Sequence, residues 1–223
     1  MREIVFDTET TGLDPASGDR VIEIACVELF NLMPTGREFH AYFNPQRDVP
    51  EASIAIHGLT ESFLADKPLF ADSIDDLLAF FGDARLVAHN AEFDMKFLQA
   101  EWKAASRPPL GVDVVDTLPL ARRKFPGSPA SLDALCRRFA IDLSGREKHG
   151  ALIDTRLLAQ VYLELMGGKE PGLALATDPA KSAAAIASVT RQPRSPRAHS
   201  PSEAELAAHA EHMKSLTEPL WLQ

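Results

Sequence analysis

The sequence predicts an α/β fold: a mixed five-stranded sheet flanked by helices. Two observations lead there. Three strand-like runs with short connections open the chain, and helical and strand-like runs then alternate up to residue 166. Residues 2–7 form the first strand, and residues 20–29 the second, with Ile22, Ile24 and Cys26 alternating with Glu23, Ala25 and Val27. Residues 37–43 complete an antiparallel meander. Residues 73–81 read as a helix, 85–89 as a buried strand, 92–105 as a helix and 112–115 as the last strand. Ser131 starts a helix whose Leu132, Leu135, Cys136 and Phe139 recur at three-and-four spacing. Residues 155–166 close the domain as another helix.

Between Tyr162 and Trp221 there is no aromatic residue, and Pro171, Pro179, Pro193, Pro196 and Pro201 interrupt an Ala- and Ser-rich run. Such a run lacks the apolar anchors that offset ordering entropy, so residues 167–200 are expected to be a flexible linker. In residues 201–223, Ser202 and Glu205 form a capping-box pattern, and Leu206, Ala210, Met213 and Leu216 mark one apolar face ahead of Trp221. A short amphipathic helix is marginal alone, so this segment reads as a docking element for another protein or packs back on its own domain.

Composition bounds the function. With 223 residues, 45% hydrophobic and 25% charged, the chain suits one well-buried domain with a remainder. No apolar run reaches membrane-spanning length and no secretory leader pattern opens the chain, so a cytoplasmic protein with no membrane contact is expected. Cys26 and Cys136 lie inside apolar patterns and read as reduced core thiols. The formal net charge is −9, and residues 1–166 carry all of it, because the linker (+3) and the last segment (−3) cancel. A free-standing nucleic-acid binder usually presents a basic face. Phosphate neutralisation supplies most non-specific affinity, so any nucleic-acid enzyme built this way needs a partner to deliver the strand.

Three segments carry chemistry: Phe6-Asp7-Thr8-Glu9-Thr10-Thr11-Gly12, His89-Asn90-Ala91-Glu92-Phe93-Asp94 and His149-Gly150-Ala151-Leu152-Ile153-Asp154. Asp7 and Glu9 are two apart on a strand, so both carboxylates share one face. Asp94 starts a helix after a buried strand, where a carboxylate is also stabilised by the helix dipole alone. Five helical residues turn through about 500°, leaving His149 and Asp154 about 140° apart if both were helical. His149 is therefore placed on the loop before the helix, with Gly150 as the irregular link, and Asp154 on the helix. A strand ending in Asp-x-Asp-x-Thr also opens haloacid-dehalogenase-like phosphatases. Here the second acid is Glu, and that reading leaves the other two segments unused.

In order and spacing these segments resemble the three motifs of the DEDDh family of 3'-5' exonucleases, and among them most closely the epsilon proofreading subunits of bacterial DNA polymerase III. The resemblance implies a ribonuclease H-like fold for residues 1–166. It implies that four carboxylates hold two divalent cations, Mg2+ or Mn2+. Asp7 bridges both, Glu9 and Asp154 complete the first, and Asp94 supports the second. His149 takes the proton of the attacking water, and nucleoside 5'-monophosphates leave single-stranded or frayed DNA 3' ends. Thr10, Leu13 and His57 correspond to stretches that line the terminal-nucleotide pocket, whereas Arg122-Arg123-Lys124 reads as a solvated helix end and is left out of the site. The tail implies docking of residues 201–223 on the polymerase III catalytic subunit. Residues Glu170-Pro171-Gly172-Leu173-Ala174-Leu175 resemble a sliding-clamp-binding peptide with Glu where the pattern prefers Gln. A free-standing DNA or RNA exonuclease, or a non-catalytic polymerase adaptor, is the alternative.

Overall fold

In a computed structural model, which describes residues 1–144, 149–168 and 200–215, β1 (Arg2–Thr10) runs through the centre of a sheet ordered β3-β2-β1-β4-β5. β2 (Val21–Phe30) and β3 (Met33–Tyr42) continue it antiparallel on one side. β4 (Arg85–Ala88) and β5 (Val114–Asp116) continue it parallel on the other. The mixed five-stranded sheet is as the sequence predicts.

Helices cover both faces. α1 (Glu51–His57), α2 (Glu61–Leu64) and α3 (Ile74–Phe81) lie between β3 and β4 in the chain, and α4 (Ala91–Ala104) follows β4. α5 (Thr117–Lys124), α6 (Leu132–Arg138) and α7 (Ala151–Leu165) follow β5. On one face Ile4, Phe6, Ile24 and Cys26 pack with Phe81 of α3 and with Phe97, Leu98 and Trp102 of α4. On the other, Val5, Val27 and Val87 pack with Leu158, Ala159 and Tyr162 of α7. Each such buried Val, Leu, Ile or Phe side chain contributes roughly 1.5–3 kcal/mol.

Several element boundaries differ from expectation for local reasons. The β2–β3 hairpin turns on Asn31 and Leu32, both at positive φ (51° and 68°), and Phe30 pairs with Met33. Leu is not a turn-former at such angles, so the strand expected at 37–43 in fact begins at Met33. The apolar/polar alternation expected of β2 is a two-sided burial instead, with Glu23 and Glu28 buried among the apolar residues. α7 starts at Ala151 rather than 155, because Gly150 gives no side-chain cap to announce it. α1 has no sequence counterpart, and of α5 only the basic end at Arg122-Arg123-Lys124 is foreseen; in α5, Pro119 sits in the first turn, where a missing N–H costs nothing.

The chain divides into two compact units, Met1–Leu173 and Ala174–Gln223. In the second, the helix Glu203–Ser215 carries the expected capping box: Ser202 N–H and hydroxyl donate to Glu205 Oε2, and Glu205 N–H donates to Ser202 Oγ at 3.3 Å. The expected clamp-like peptide at 170–175 and Trp221 lie outside the described residues. Among the described residues no helix is long and apolar enough to cross a membrane.

Candidate active site

Side-chain alternation on β1 sets the site. Val5 faces α7 and Phe6 faces α4, so Asp7 and Glu9 fall on the α7 face and Thr8 on the α4 face. Asp94, in the first turn of α4, reaches β1 from that opposite face. Its Oδ1 accepts the Thr8 N–H at 3.1 Å and the Thr8 hydroxyl at 2.6 Å, and the residue is 3% exposed.

Asp154 arrives from α7, whose N-terminal part is fastened to β2 by two hydrogen bonds. Ala151 N–H donates to Glu23 Oε2 at 3.2 Å, and the Thr155 hydroxyl donates to the Ala25 carbonyl at 3.3 Å. Glu23 and Ala25 are the β2 partners of Glu9 and Asp7. These bonds therefore fix Asp154 beside the two β1 acids. Glu23 serves as the cap that Gly150 does not supply, and its Oε1 lies 2.7 Å from His40 Nε2. Sequence reading passed over Glu23; its signal was a charged residue in an otherwise apolar strand.

His149 precedes α7 on the loop, as expected. Its Nδ1 lies 3.2 Å from Asp154 Oδ2, and its N–H donates to the Ile56 carbonyl of α1 at 3.2 Å. One ligand atom each from Glu9, His149 and Asp154 lies within 4.8 Å of the others. Asp7 is surrounded by acids. Burial pushes its carboxyl well above the usual range, and the charges of Asp94, Glu9, Asp154 and Glu23 push it further. Burial pushes Asp94 up to about 7 against the lowering effect of its Thr8 bonds, with Asp116 adding to the rise.

The residues matched to the terminal-nucleotide pocket are held by the same framework. α1 bridges the two loops: the Ser53 hydroxyl donates to the Thr11 carbonyl at 2.9 Å, and the Ile56 carbonyl takes His149 N–H. Leu13 is 81% exposed at the loop tip, while Thr10 is buried with its hydroxyl donating to the Gly12 carbonyl at 2.6 Å. His57 is buried, and its Nδ1 accepts the Leu59 N–H at 3.0 Å, which leaves the proton of the neutral ring on Nε2. A Cβ at Gly12 would meet the Asp19 carboxylate at 2.2 Å, so any larger residue there would have to displace that side chain.

A cleft of about 790 Å³ is lined by Asp7, His149 and Asp154 and continues past Asn90 and Arg122 to residues 128–132; Thr10, Leu13 and His57 are not among its lining residues. Arg122, set aside in the sequence reading, thus shares a wall with the acids.

The donor set fits divalent cations. It is carboxylate oxygen with one imidazole and no thiol, and neighbouring carboxylates repel by about 4 kcal/mol at 4 Å for an effective dielectric of 20. The linkage to pH has a definite sign. With its pKa raised to about 7 from 3.8, Asp94 keeps in the folded state a proton that the unfolded chain loses. Its stabilising contribution is present below about pH 4 and is lost as pH rises through 7. His89, whose pKa burial lowers, acts in the opposite direction. In EDTA the melting temperature of wild type relative to Asp94→Asn is expected to fall between pH 5 and pH 8. Mn2+ should flatten that difference. Parallel curves in EDTA for the two proteins would show that Asp94 ionises without cost.

In sequence and fold the chain is similar to known proteins. Residues 4–162 match the RNase_T family, described as Exonuclease. The chain is 52% identical over 174 residues to "DNA polymerase III subunit epsilon" of Rickettsia conorii (strain ATCC VR-613 / Malish 7), covering 76% of each. It is 40% identical over 220 residues to the protein of the same name from Escherichia coli (strain K12), covering 93% of this chain and 90% of that one. Among solved structures, "Exonuclease X in complex with 5' overhanging duplex DNA" aligns at a TM-score of 0.59 and 29% identity, over 74% of this chain and 90% of that one. The nuclease domain of 3'hExo, a DEDDh family member bound to rAMP, shares the fold at a TM-score of 0.64 and 18% identity, over 74% of this chain and 91% of that one. An acid cluster assembled from both faces of one mixed sheet is thus set in a sequence that belongs to the exonuclease family, among the DNA polymerase III epsilon subunits.

Proposed function

We propose that the chain is a 3'-5' exonuclease that removes nucleoside 5'-monophosphates from DNA 3' ends as the proofreading subunit of a bacterial replicative polymerase, working in the cytoplasm. The observation that carries this is the gathering of Glu9, His149 and Asp154 within 4.8 Å, beside Asp7 and on a family-matching chain. Asp7, Glu9, Asp94 and Asp154 are the residues to hold two cations, Mg2+ or Mn2+. When bound, these would supply a nucleophile at neutral pH and neutralise charge on the phosphodiester.

The chain's own residues then divide the work. The Thr8 bonds orient the Asp94 carboxylate, and the Ala151 and Thr155 bonds to β2 fix the stretch of α7 that carries Asp154, so both acids are positioned ahead of substrate binding. With Nδ1–H donating to Asp154 Oδ2, the neutral His149 ring carries its lone pair on Nε2, the atom that accepts the proton of the attacking water. Thr10, Leu13 and His57 form the terminal-nucleotide pocket in this reading.

The division into an exonuclease domain (1–166), a linker (167–200) and a polymerase-docking segment (201–223) is part of the same proposal. So is clamp binding by residues 170–175. It is supported by the Escherichia coli match, whose 93% coverage extends beyond the catalytic domain, and by the acidity of residues 1–166, which leaves strand delivery to a partner.

The deciding experiment is release of mononucleotides with Mn2+ from matched DNA and RNA oligonucleotides, by full-length protein and by protein ending at residue 166. Both forms should digest single-stranded DNA alike, and only the full chain should co-purify with the polymerase catalytic subunit. No release by either form favours the adaptor. Preferential cleavage of RNA moves the chain to the RNA-degrading relatives.

A further inference from the structure

α5 ends in three consecutive cations, Arg122, Arg123 and Lys124, and their surroundings differ. Lys124 is structural: its Nζ donates to the carbonyls of Glu164 and Leu165 at 2.8 and 2.9 Å, closing the C-terminus of α7. Arg122 is exposed, makes no ion pair or hydrogen bond among the described residues, and lines the cleft shared with Asp7, His149 and Asp154. Among the described residues it is the one Lys or Arg on that wall. Its charge reaches His89 on the same wall, where it opposes protonation.

Asn90 lines the same cleft. It is held at φ 65°, left-handed for a non-glycine residue, and its N–H donates to Asp116 Oδ1 at 3.0 Å. The Asn90 amide side chain makes no hydrogen bond among the described residues. Asn adopts this region more readily than other non-glycine residues, so the backbone can turn here without a glycine and leave an amide side chain on the wall.

The sheet order gives these donors a direction. The Thr10–Leu13 turn and α1 lie on the β2 side of β1, the acids sit at the end of β1, and Asn90 and Arg122 follow β4 and β5 on the far side. A strand whose 3' nucleotide sits toward α1 and whose scissile bond lies over the acids therefore leaves across Asn90 and Arg122. We propose that Arg122, with the Asn90 amide, is a phosphate subsite that grips the DNA strand one or more nucleotides upstream of the scissile bond. This rests on the exonuclease reading above. In a chain of net charge −9, a guanidinium that offers a phosphate two parallel N–H donors is the natural place for backbone affinity to concentrate.

The test compares two substrates under Mn2+: a single-stranded oligodeoxynucleotide, and a p-nitrophenyl ester of thymidine 5'-monophosphate, which has no upstream phosphate. Arg122→Ala should raise the oligonucleotide KM about tenfold relative to that of the ester, as expected for one charge-assisted hydrogen-bonding contact. The slope of log KM against log salt should shrink by about 0.7, one single-strand phosphate contact. Arg122→Gln should behave like Arg122→Ala while keeping the side-chain stem, and Arg122→Lys should restore part of the loss. Equal KM rises on both substrates, or no change in oligonucleotide KM and salt slope, would overturn the subsite. Wild type that cleaves neither substrate would instead overturn the exonuclease reading, and the subsite with it.

Discussion

Asp7→Asn should reduce metal-dependent nucleotide release by about 10³-fold or more and, in EDTA at pH 8, raise the melting temperature. The two effects have one cause. Asp7 faces four acidic neighbours, and both burial and their charges oppose its ionisation. Without cations the carboxylate is therefore a cost to the fold, and the isosteric amide removes it. Each kcal/mol recovered appears as about 2–4 °C in a chain of this size. With cations the same carboxylate would be one of the groups that hold them in the proposed site. Losing several kcal/mol of transition-state stabilisation at about 1.36 kcal/mol per decade gives the rate loss. Melting curves with EDTA and with Mn2+, run beside a release assay, read both effects. An Asp7→Asn protein less stable than wild type in EDTA would mean that the carboxylate holds the fold together, and the two-cation arrangement would lose its electrostatic basis.

His149→Ala should lower kcat by roughly 10²- to 10⁴-fold, the usual worth of a positioned general base. Unlike Asp7→Asn, it should leave the melting-temperature increase caused by Mn2+ largely intact. The distinction matters because His149 stands within 4.8 Å of Glu9 and Asp154, near enough to be a ligand itself. Its contact with Asp154 through Nδ1 favours the base role by directing the lone pair to Nε2. A variant that no longer responds to Mn2+ would reassign His149 from base to ligand.

Local pattern was a good guide to the central strand and the chemistry it carries. A continuous apolar run ending in Asp7-Thr8-Glu9 shows both a buried strand and two carboxylates on one face, because alternation is fixed by backbone geometry. The placing of His149 on a loop and Asp154 on a helix followed equally from helical pitch, and α7 indeed begins between them. The beginning of α7 was harder to read. Its cap is the Glu23 carboxylate, 128 residues away in sequence, and no local window contains that partner. Likewise the β2–β3 hairpin hides behind Leu32, which tolerates its left-handed angle because the two strands it joins are paired over their length.

By itself, the sequence determined the fold class, the three acidic segments and the family they match, since each depends on residue types at short, fixed spacings. Tertiary structure alone decided how the acids meet. Asp94 comes over the strand end from one face to bond Thr8, and Asp154 is pinned from the other face by bonds to Glu23 and Ala25. It also brought Arg122, left out as a solvated helix end, onto the wall of the same cleft. The physical reason is common to all three. Which face a helix covers, and which distant carbonyl or carboxylate ends its chain of hydrogen bonds, depends on packing between segments far apart in the chain, and spacing along the chain does not encode it.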